Sequence, residues 1–208
     1  MKGKPETRNQ KGARGFFWFL VSGFWFLVYE AKAGIRGVAV LPIVKYGDDV
    51  LRRPTSPVTT FDNALQKLID DMVDTMYAAP GVGLAANQVG VSQRLMVIDL
   101  SVGKRPQELH VFANAEIVER AGQLNEEEGC LSIPDFTENV VRPERVKVRF
   151  LDRNGQPREM WGEGLMARAL CHETDHLNGN LFIDHLRGLK KERILKKIQK
   201  LAKAGMWS

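Results

Sequence analysis

Cysteine is scarce in this sequence, which excludes the class of small proteins held together by disulfides. Only Cys130 and Cys171 occur among the 208 residues. Two cysteines are too few for a disulfide framework in a chain of this length, and they favour a reducing compartment. Either thiol still qualifies as a metal ligand. With 44% hydrophobic residues the chain can bury a core, and its length suits one domain with appendages.

A hydrophobic run long enough to cross a membrane is also lacking. The most apolar segment, residues 16–29, would span about 21 Å as a helix, less than the roughly 30 Å of a bilayer's hydrocarbon core. Basic residues precede this segment and Ala31-Lys32-Ala33 follows it, a layout typical of secretory signals. Three interpretations stay open: an extension outside the fold, which we favour, an anchor in a membrane interface, and an export signal.

Negative charge is in deficit overall, but the deficit is confined to the two ends of the chain. The net charge of +5 is the sum of +5 in residues 1–36, −7 in residues 37–186 and +7 in residues 187–208. A nucleic-acid-binding surface on the middle part is therefore not expected. We predict three parts: a basic and apolar extension over 1–36, a main domain over 37–186, and a basic C-terminal helix over 187–208 packed on that domain.

Hydrophobic spacing predicts helices at both ends of the main domain and strands between them. Asp62 is expected to cap a helix that reaches Tyr77 and carries a core-facing stripe of Leu65, Leu68, Ile69, Met72, Val73 and Met76. Strands are expected at 94–99, 111–118, 145–151 and 158–161, and a helix at 163–177 that ends at Gly179. This order predicts an α+β fold: short mixed or antiparallel β-sheets wrapped around a central helix, with a further C-terminal helix.

The motif HETDH, residues 172–176, carries the most chemical information. On a helix, His172 and His176 lie one turn apart on the same face, so both imidazoles can reach one metal ion. Glu173 then lies beside the metal as a candidate base for a bound water molecule. A helix with two surface histidines and no metal is the plain alternative. The motif indicates that the predicted central helix is a metal-binding helix.

A site of this kind needs a third protein ligand if it is to keep a fourth position open for water. The later candidates are poor, because His185 lies beyond the break at Gly179 and Glu192 lies in the basic tail. Cys130, in the string EGCLS, is the better candidate, and Gly129 before it allows a close backbone approach. Alone, the string would suit an ordinary buried cysteine before a turn.

A third string, GVGLAANQ at residues 81–88, has small residues that let a substrate backbone lie close, followed by the Gln88 amide. It lacks the lysine of a phosphate-binding P-loop and the third glycine of a dinucleotide fingerprint. Taken alone it would indicate no more than a glycine-rich turn.

Together, and in this order, the strings GVGLAANQ, EGCLS and HETDH resemble the three signature motifs of the peptide deformylase family. The resemblance covers about residues 38–205 and includes the opening LPIVKYGDDVLRRP. It implies a hydrolase of a non-peptide C–N amide bond, which removes the formyl group from the N-terminal methionine of new proteins and releases formate. Cys171 stands where relatives often have glutamine, and the N-terminal extension lies outside the pattern.

The resemblance also implies a role for individual residues. Cys130, His172 and His176 are implied as metal ligands. Glu173 is implied as general base and then general acid, and the Gln88 amide and the Leu131 backbone N–H as donors to the developing oxyanion. Contacts from Val82 and Gly83 to an extended substrate, and a methionine pocket that includes Ala169 and Leu131, are expected, with broad tolerance beyond the methionine.

Cofactor, partners and location follow from the same resemblance. Two imidazoles and a thiolate suit zinc by softness and geometry, but the family is associated with ferrous iron, so we predict Fe(II), with Zn, Ni and Co as alternatives. The expected partners are nascent formylmethionyl polypeptides, and the ribosome through the C-terminal helix; a solvated helix face explains the basic tail equally well. The predicted location is the cytoplasm, with membrane association through residues 16–29 as the alternative.

Two other functions are consistent with parts of the sequence. A zinc peptidase would share the HExxH motif, but it would need a third ligand downstream of His176, and this sequence has no suitable one there. A metal-stabilised module that binds ribosomal RNA through its basic ends would not need Glu173 or Gln88, because a structural metal requires neither a base nor an oxyanion donor.

Overall fold

The computed structural model describes residues 20–21, 24–25 and 39–207. The chain divides into two units, Met1–Glu30 and Ala31–Ser208. In the first, the strands β1 (Leu20–Val21) and β2 (Phe24–Trp25) pair antiparallel. The rest of the apolar segment 16–29 and the domain boundary predicted between residues 36 and 37 lie outside the described residues. Among the residues described, no helix has the length and apolar character to cross a membrane.

Helix α1 (Asn63–Ala78) forms where the hydrophobic stripe predicted it. The Asp62 side chain accepts a hydrogen bond from the backbone N–H of Leu65 at 2.9 Å and so caps the first turn. Five residues of the predicted stripe are buried and the sixth, Leu68, is partly buried. The helix therefore packs by its apolar face, as the spacing indicated.

A five-stranded antiparallel sheet lies between two helices. Its order is β3 (Gly83–Ala85), β4 (Leu95–Ile98), β5 (His110–Ala121), β8 (Arg145–Leu151) and β9 (Pro157–Glu163). Alternate residues of β4 point to opposite faces: Leu95 and Val97 join the core cluster of α1, and Met96 and Ile98 join that of the later helix α2 (Leu165–Leu177). Burial on both faces explains why β4 reads as a continuous apolar run.

The hairpin of β6 (Leu124–Cys130) and β7 (Ile133–Arg142) was not predicted from the sequence. β6 reads LNEEEGC, which has neither the alternation nor the β-branched residues of an ordinary strand, and β7 contains Pro134. One face of β7 is nevertheless apolar, because Ile133, Phe136 and Val140 join a third core cluster beneath the C-terminal helix. Tertiary packing therefore decides the conformation of this segment.

Helix α2 (Leu165–Leu177) is the central helix, and it contacts both the sheet and β7. Gly179 follows it with φ of +78°, and a Cβ there would lie 2.6 Å from the Arg52 carbonyl oxygen, so glycine is needed at this helix end. Helix α3 (Leu189–Lys203) buries Ile194 and Ile198 on the third cluster. The predicted α+β fold is confirmed, with one refinement: all described strand pairs are antiparallel, and the one parallel pairing is an isolated bridge, Ser56 to Gln93.

Candidate metal centre

Three side chains that could hold a metal ion converge where the end of β6 meets the middle of α2. The Nε2 atoms of His172 and His176 are 3.2 Å apart, and the Cys130 Sγ is 3.1 Å from the Nε2 of His176. All three donor atoms lie within 4.8 Å of one another. One thiolate and two imidazoles suit a divalent transition metal and leave a further coordination position open. The residues present therefore fit a single metal ion.

A buried carboxylate orients the His172 ring. The Nδ1 of His172 lies 2.7 Å from Glu128 Oε1, so the Nε2 faces the other two donors. Arg142 donates to both oxygens of Glu128, at 2.6 and 3.0 Å, and also donates to Asp175. Burial by itself would raise the pKa of Glu128, but the hydrogen bonds from His172 and Arg142 hold this pKa at about 2. The carboxylate is therefore charged, and it can retain the His172 proton on Nδ1.

Glu173 lies against the glycine string. A Cβ at position 83 would lie 2.5 Å from Glu173 Oε1, so a side chain there would displace the carboxyl group from its present position. Glu173 is 4% exposed, and its Oε2 has no hydrogen-bond partner among the described residues. Burial raises its pKa to about 7. An unsatisfied buried oxygen is costly for folding, and such costs are typical of functional sites.

The Gln88 amide also faces the cluster. Its Oε1 accepts from the Ala85 backbone N–H at 2.8 Å, which fixes the orientation of the amide. The Nε2 then points to the Cys130 Sγ at 3.7 Å and the Ser132 Oγ at 3.3 Å. Leu131 lies in the turn between β6 and β7, and its side chain covers Gly81, where a Cβ would approach Leu131 Cδ1 to 2.8 Å. The three strings therefore meet at one place.

The remaining predicted site residues lie close by in the fold. The Val82 carbonyl accepts from the Asp99 N–H at 2.9 Å, and Gly83 begins the edge strand β3. Ala169 is buried in the core cluster between α2 and the sheet. Cys171 is buried in the same cluster, where burial raises the pKa of its thiol to about 11, and it is not among the metal-ligating atoms.

Several residues that support the site were missed in the sequence. Asn87 donates from Nδ2 to the His176 carbonyl oxygen at 2.6 Å and so joins the glycine string to α2. Glu128 and Asp175 lie inside the signature strings, two positions from Cys130 and one from His176, which was a usable signal. No sequence signal marked Arg142, because this residue of β7 contacts Glu128 on the other strand of the hairpin, 14 positions earlier in the chain. His185, excluded earlier as a ligand, lies 2.7 Å from Asp175 Oδ2 and outside the donor cluster.

Comparison with known proteins gives a consistent result. Residues 40–192 match the family described as Polypeptide deformylase. The peptide deformylase of Acidobacterium capsulatum is 51% identical over 168 residues, which cover 81% of this chain and 99% of that protein. The Azotobacter vinelandii peptide deformylase is 51% identical over 78% of this chain and 96% of its own length.

Solved structures agree with the sequence relatives. A crystal structure of a peptide deformylase from Legionella pneumophila superposes with a TM-score of 0.76 at 49% identity, over 82% of this chain and 99% of that one. The peptide deformylase of Plasmodium falciparum superposes with a TM-score of 0.74 at 37% identity, over 78% of this chain and 96% of that one.

Proposed function

Because the chain belongs to the peptide deformylase family, we propose that its metal centre is formed by Cys130, His172 and His176. The family assignment makes the protein a metal-dependent hydrolase that removes the formyl group from the N-terminus of newly made proteins. The observation that carries the assignment of residues is the convergence of three donor atoms within 4.8 Å beside the buried Glu173 carboxyl group. We also propose that the catalytic domain spans residues 37–186.

Cys130, His172 and His176 would hold a divalent ion, which would act as a Lewis acid and make a water molecule available as a nucleophile near neutral pH. We propose Fe(II), on the resemblance of all three motifs; Zn, Ni and Co have the same donor preferences to different degrees. Iron-loaded protein should lose activity in air as metal and thiolate oxidise, whereas zinc-loaded protein should keep it. If the iron-loaded and zinc-loaded proteins lose activity in air at the same rate, oxidation at an iron–thiolate site does not explain the loss.

Glu173 is proposed to move the proton. Its Oε2 is buried and has no partner among the described residues, so it can accept a proton from the attacking water. The same carboxyl group then returns the proton to the amine nitrogen as the C–N bond breaks. The products are formate and a free N-terminus. Gly83 keeps this carboxyl group in reach of the substrate, because any side chain there would displace it.

Gln88 and Leu131 are proposed to stabilise the negative charge that grows on the formyl oxygen. The Gln88 Nε2 is held toward the cluster by the contact of its Oε1 with Ala85. The Leu131 backbone N–H follows Cys130 directly in the chain. Donors that are already in position need no reorganisation during the reaction, and loss of one typically costs about 2.7–4 kcal/mol of transition-state stabilisation.

The substrate is proposed to bind as an added strand. β3 is an edge of the five-stranded sheet as described, so Val82 and Gly83 can present backbone groups to an extended peptide. Backbone contacts do not read side chains beyond the first residue, which supports broad tolerance there. The methionine side chain is proposed to enter an apolar pocket that includes Ala169 and Leu131.

The proposed function also indicates the partners of this protein and its location in the cell. Nascent formylated polypeptides are the substrates. We propose that the basic face of α3 adds contact with the ribosome. Membrane contact through residues 16–29, most of which lie outside the described residues, is the alternative. A cytoplasmic location is proposed because the substrates emerge from ribosomes there.

Formate release from a formyl-methionyl dipeptide by metal-loaded protein tests the proposal. Cys130→Ala should lose bound metal and activity together, because two ligands remain. Cys171→Ala is the matched control: it removes the other thiol, which lies outside the donor cluster, and should keep both. Full metal occupancy in Cys130→Ala would move the third ligand elsewhere, and intact activity in that variant would refute the assigned site.

A further inference from the structure

Three successive turns of α2 contact one strand, β6, in a regular register. Arg168, His172 and His176 lie four residues apart along the same face of the helix. His172 meets Glu128 at 2.7 Å, and His176 meets Cys130 at 3.1 Å. Arg168 meets the strand earlier, through hydrogen bonds of 3.0 Å from Nη2 to the carbonyl oxygens of Glu126 and Glu127. Helix and strand advance together in the same chain direction.

The register is geometrically matched. Four residues of helix rise about 6.0 Å, and two residues of strand rise about 6.7 Å. Because these two distances are similar, every fourth residue of α2 can contact every second residue of β6 over all three contacts. Residues two apart on a strand also point to the same face, so positions 126, 128 and 130 can all face α2.

The hairpin alone does not fix Cys130. The ladder between β6 and β7 shifts register between Gly129 and Cys130, where Cys130 pairs with Ile133. The unpaired residues, 134–136, belong to β7, so β6 runs without interruption to Cys130 while the pairing next to Cys130 is disrupted. Contacts with α2 can therefore help to set the position of the thiol relative to the two imidazoles.

Arg168 makes such a contact between α2 and the hairpin. It is 4% exposed, and its guanidinium group also approaches the Val140 carbonyl oxygen at 3.4 Å, so it joins both strands of the hairpin to the helix. The carboxylates of Glu126 and Glu128 lie 3.4 and 3.6 Å from the guanidinium group. The planar, five-donor guanidinium can serve several carbonyls in a fixed geometry, which a lysine cannot.

We propose that Arg168 is a positioning residue for the metal centre: by holding the carbonyls of Glu126 and Glu127 it sets the register of β6 on α2, and so the place of Cys130 opposite His172 and His176. Arg168 touches neither the metal ligands' donor atoms nor the substrate groups assigned above. The inference rests on the proposed ligand set, so its test must separate the two.

The test uses cobalt-loaded protein, in which a Co–thiolate bond gives a charge-transfer absorption that histidine ligands do not. Arg168→Met should lower Co(II) affinity, measured by chelator competition, by about 10–100-fold, the usual effect of losing a group that supports metal ligands. The charge-transfer band should weaken relative to the cobalt d–d bands. Glu126→Gln is the matched control, because it alters the exposed side chain and leaves the carbonyl in place; its affinity should stay within about twofold of the wild type.

A double-mutant cycle with Cys130→Ala decides whether the effect passes through the thiol. In the Cys130→Ala background Arg168→Met should change Co(II) affinity less than twofold. An equal loss in both backgrounds, or an unchanged band and affinity in Arg168→Met with only a lower Tm, would overturn the proposal. If Arg168→Met does not fold, Arg168→Lys takes its place in the same cycle. Wild-type protein without the thiolate band, or Cys130→Ala with wild-type affinity, would instead overturn the ligand set.

Discussion

Helices α2 and α3 are similar in length, 13 and 15 residues, but they place their charges in opposite surroundings. On α2, Arg168, Glu173 and His176 are buried, and each faces the hairpin or the candidate site. On α3 only Ile194 and Ile198 are buried, and the lysines lie toward solvent. Buried charges interact strongly and cannot be removed without consequence, whereas solvated charges are screened. Changes on α2 should therefore alter chemistry and folding, and changes on α3 should alter encounters with other molecules.

The largest effect is expected at Glu173. Glu173→Ala should retain bound metal and lower kcat by about 10²–10⁴-fold, the usual contribution of general acid–base catalysis. Its Tm should not fall, because the change removes a buried oxygen that has no hydrogen-bond partner among the described residues. Steady-state kinetics, elemental analysis and thermal unfolding measure the three quantities. Glu163→Ala, an exposed glutamate just before α2, is the control and should change none of them. Near-normal turnover in Glu173→Ala would refute the assigned role.

The next largest effect is expected at the buried ion pair between Arg142 and Glu128, which contacts His172 of α2. Arg142→Met removes the guanidinium group that donates to both oxygens of the buried Glu128 carboxylate and should lower the free energy of unfolding by about 3–5 kcal/mol. The double variant Glu128→Leu, Arg142→Met should recover part of that stability, because the buried carboxylate is removed together with Arg142 and Asp175 keeps its contact with His185. It should still bind metal more weakly than wild type, because His172 loses its acceptor. Urea unfolding and chelator competition give both quantities. Equal destabilisation in single and double variants would contradict the ion-pair argument.

The same contrast explains which parts of the fold were predictable. The stripe of α1 and the spacing of His172 and His176 are local patterns, and local patterns predicted α1, α2 and the imidazole pair. β6 has no such pattern: its conformation depends on pairing with β7 and on Arg142 and Arg168, which reach it from 14 or more positions away. The sequence therefore indicated the metal-binding chemistry through its motifs but not the hairpin that carries Cys130.

A smaller effect is expected at Asp184, in the connection from α2 to α3. Burial would raise the pKa of Asp184, but hydrogen bonds from Arg52, the Leu181 N–H and Lys191 lower it to about 2. A folded-state pKa below the unfolded value gives stability that is present above about pH 4 and lost as pH falls toward 2. Since the ion pairs are partly exposed, Asp184→Asn should cost about 1 kcal/mol at pH 7 and nothing near pH 2.

Urea unfolding of Asp184→Asn at a series of pH values measures this difference. Asp49→Asn, which removes an exposed ion pair with Arg53, is the control and should stay within about 0.5 kcal/mol of the wild type at every pH. A deficit in Asp184→Asn that persists at pH 2 would mean that packing, and not charge, is lost in that variant.

The smallest effect on the enzyme itself is expected from the solvated side of α3. Neutralising Lys196, Lys200 and Lys203, all exposed, with glutamine should leave dipeptide turnover and unfolding unchanged, because these groups lie on the side of the helix away from Ile194 and Ile198. If α3 contacts ribosomal phosphates, the triple variant should co-sediment less with ribosomes at low salt. The slope of log binding against log salt should also flatten by up to about 2–3, close to one unit per lost phosphate contact.

The matching triple arginine variant retains the charge and should behave as the wild type. Identical co-sedimentation of all three proteins across salt concentrations would show that the basic face of α3 is only a solvated surface, and the contrast with α2 would then be one of burial alone.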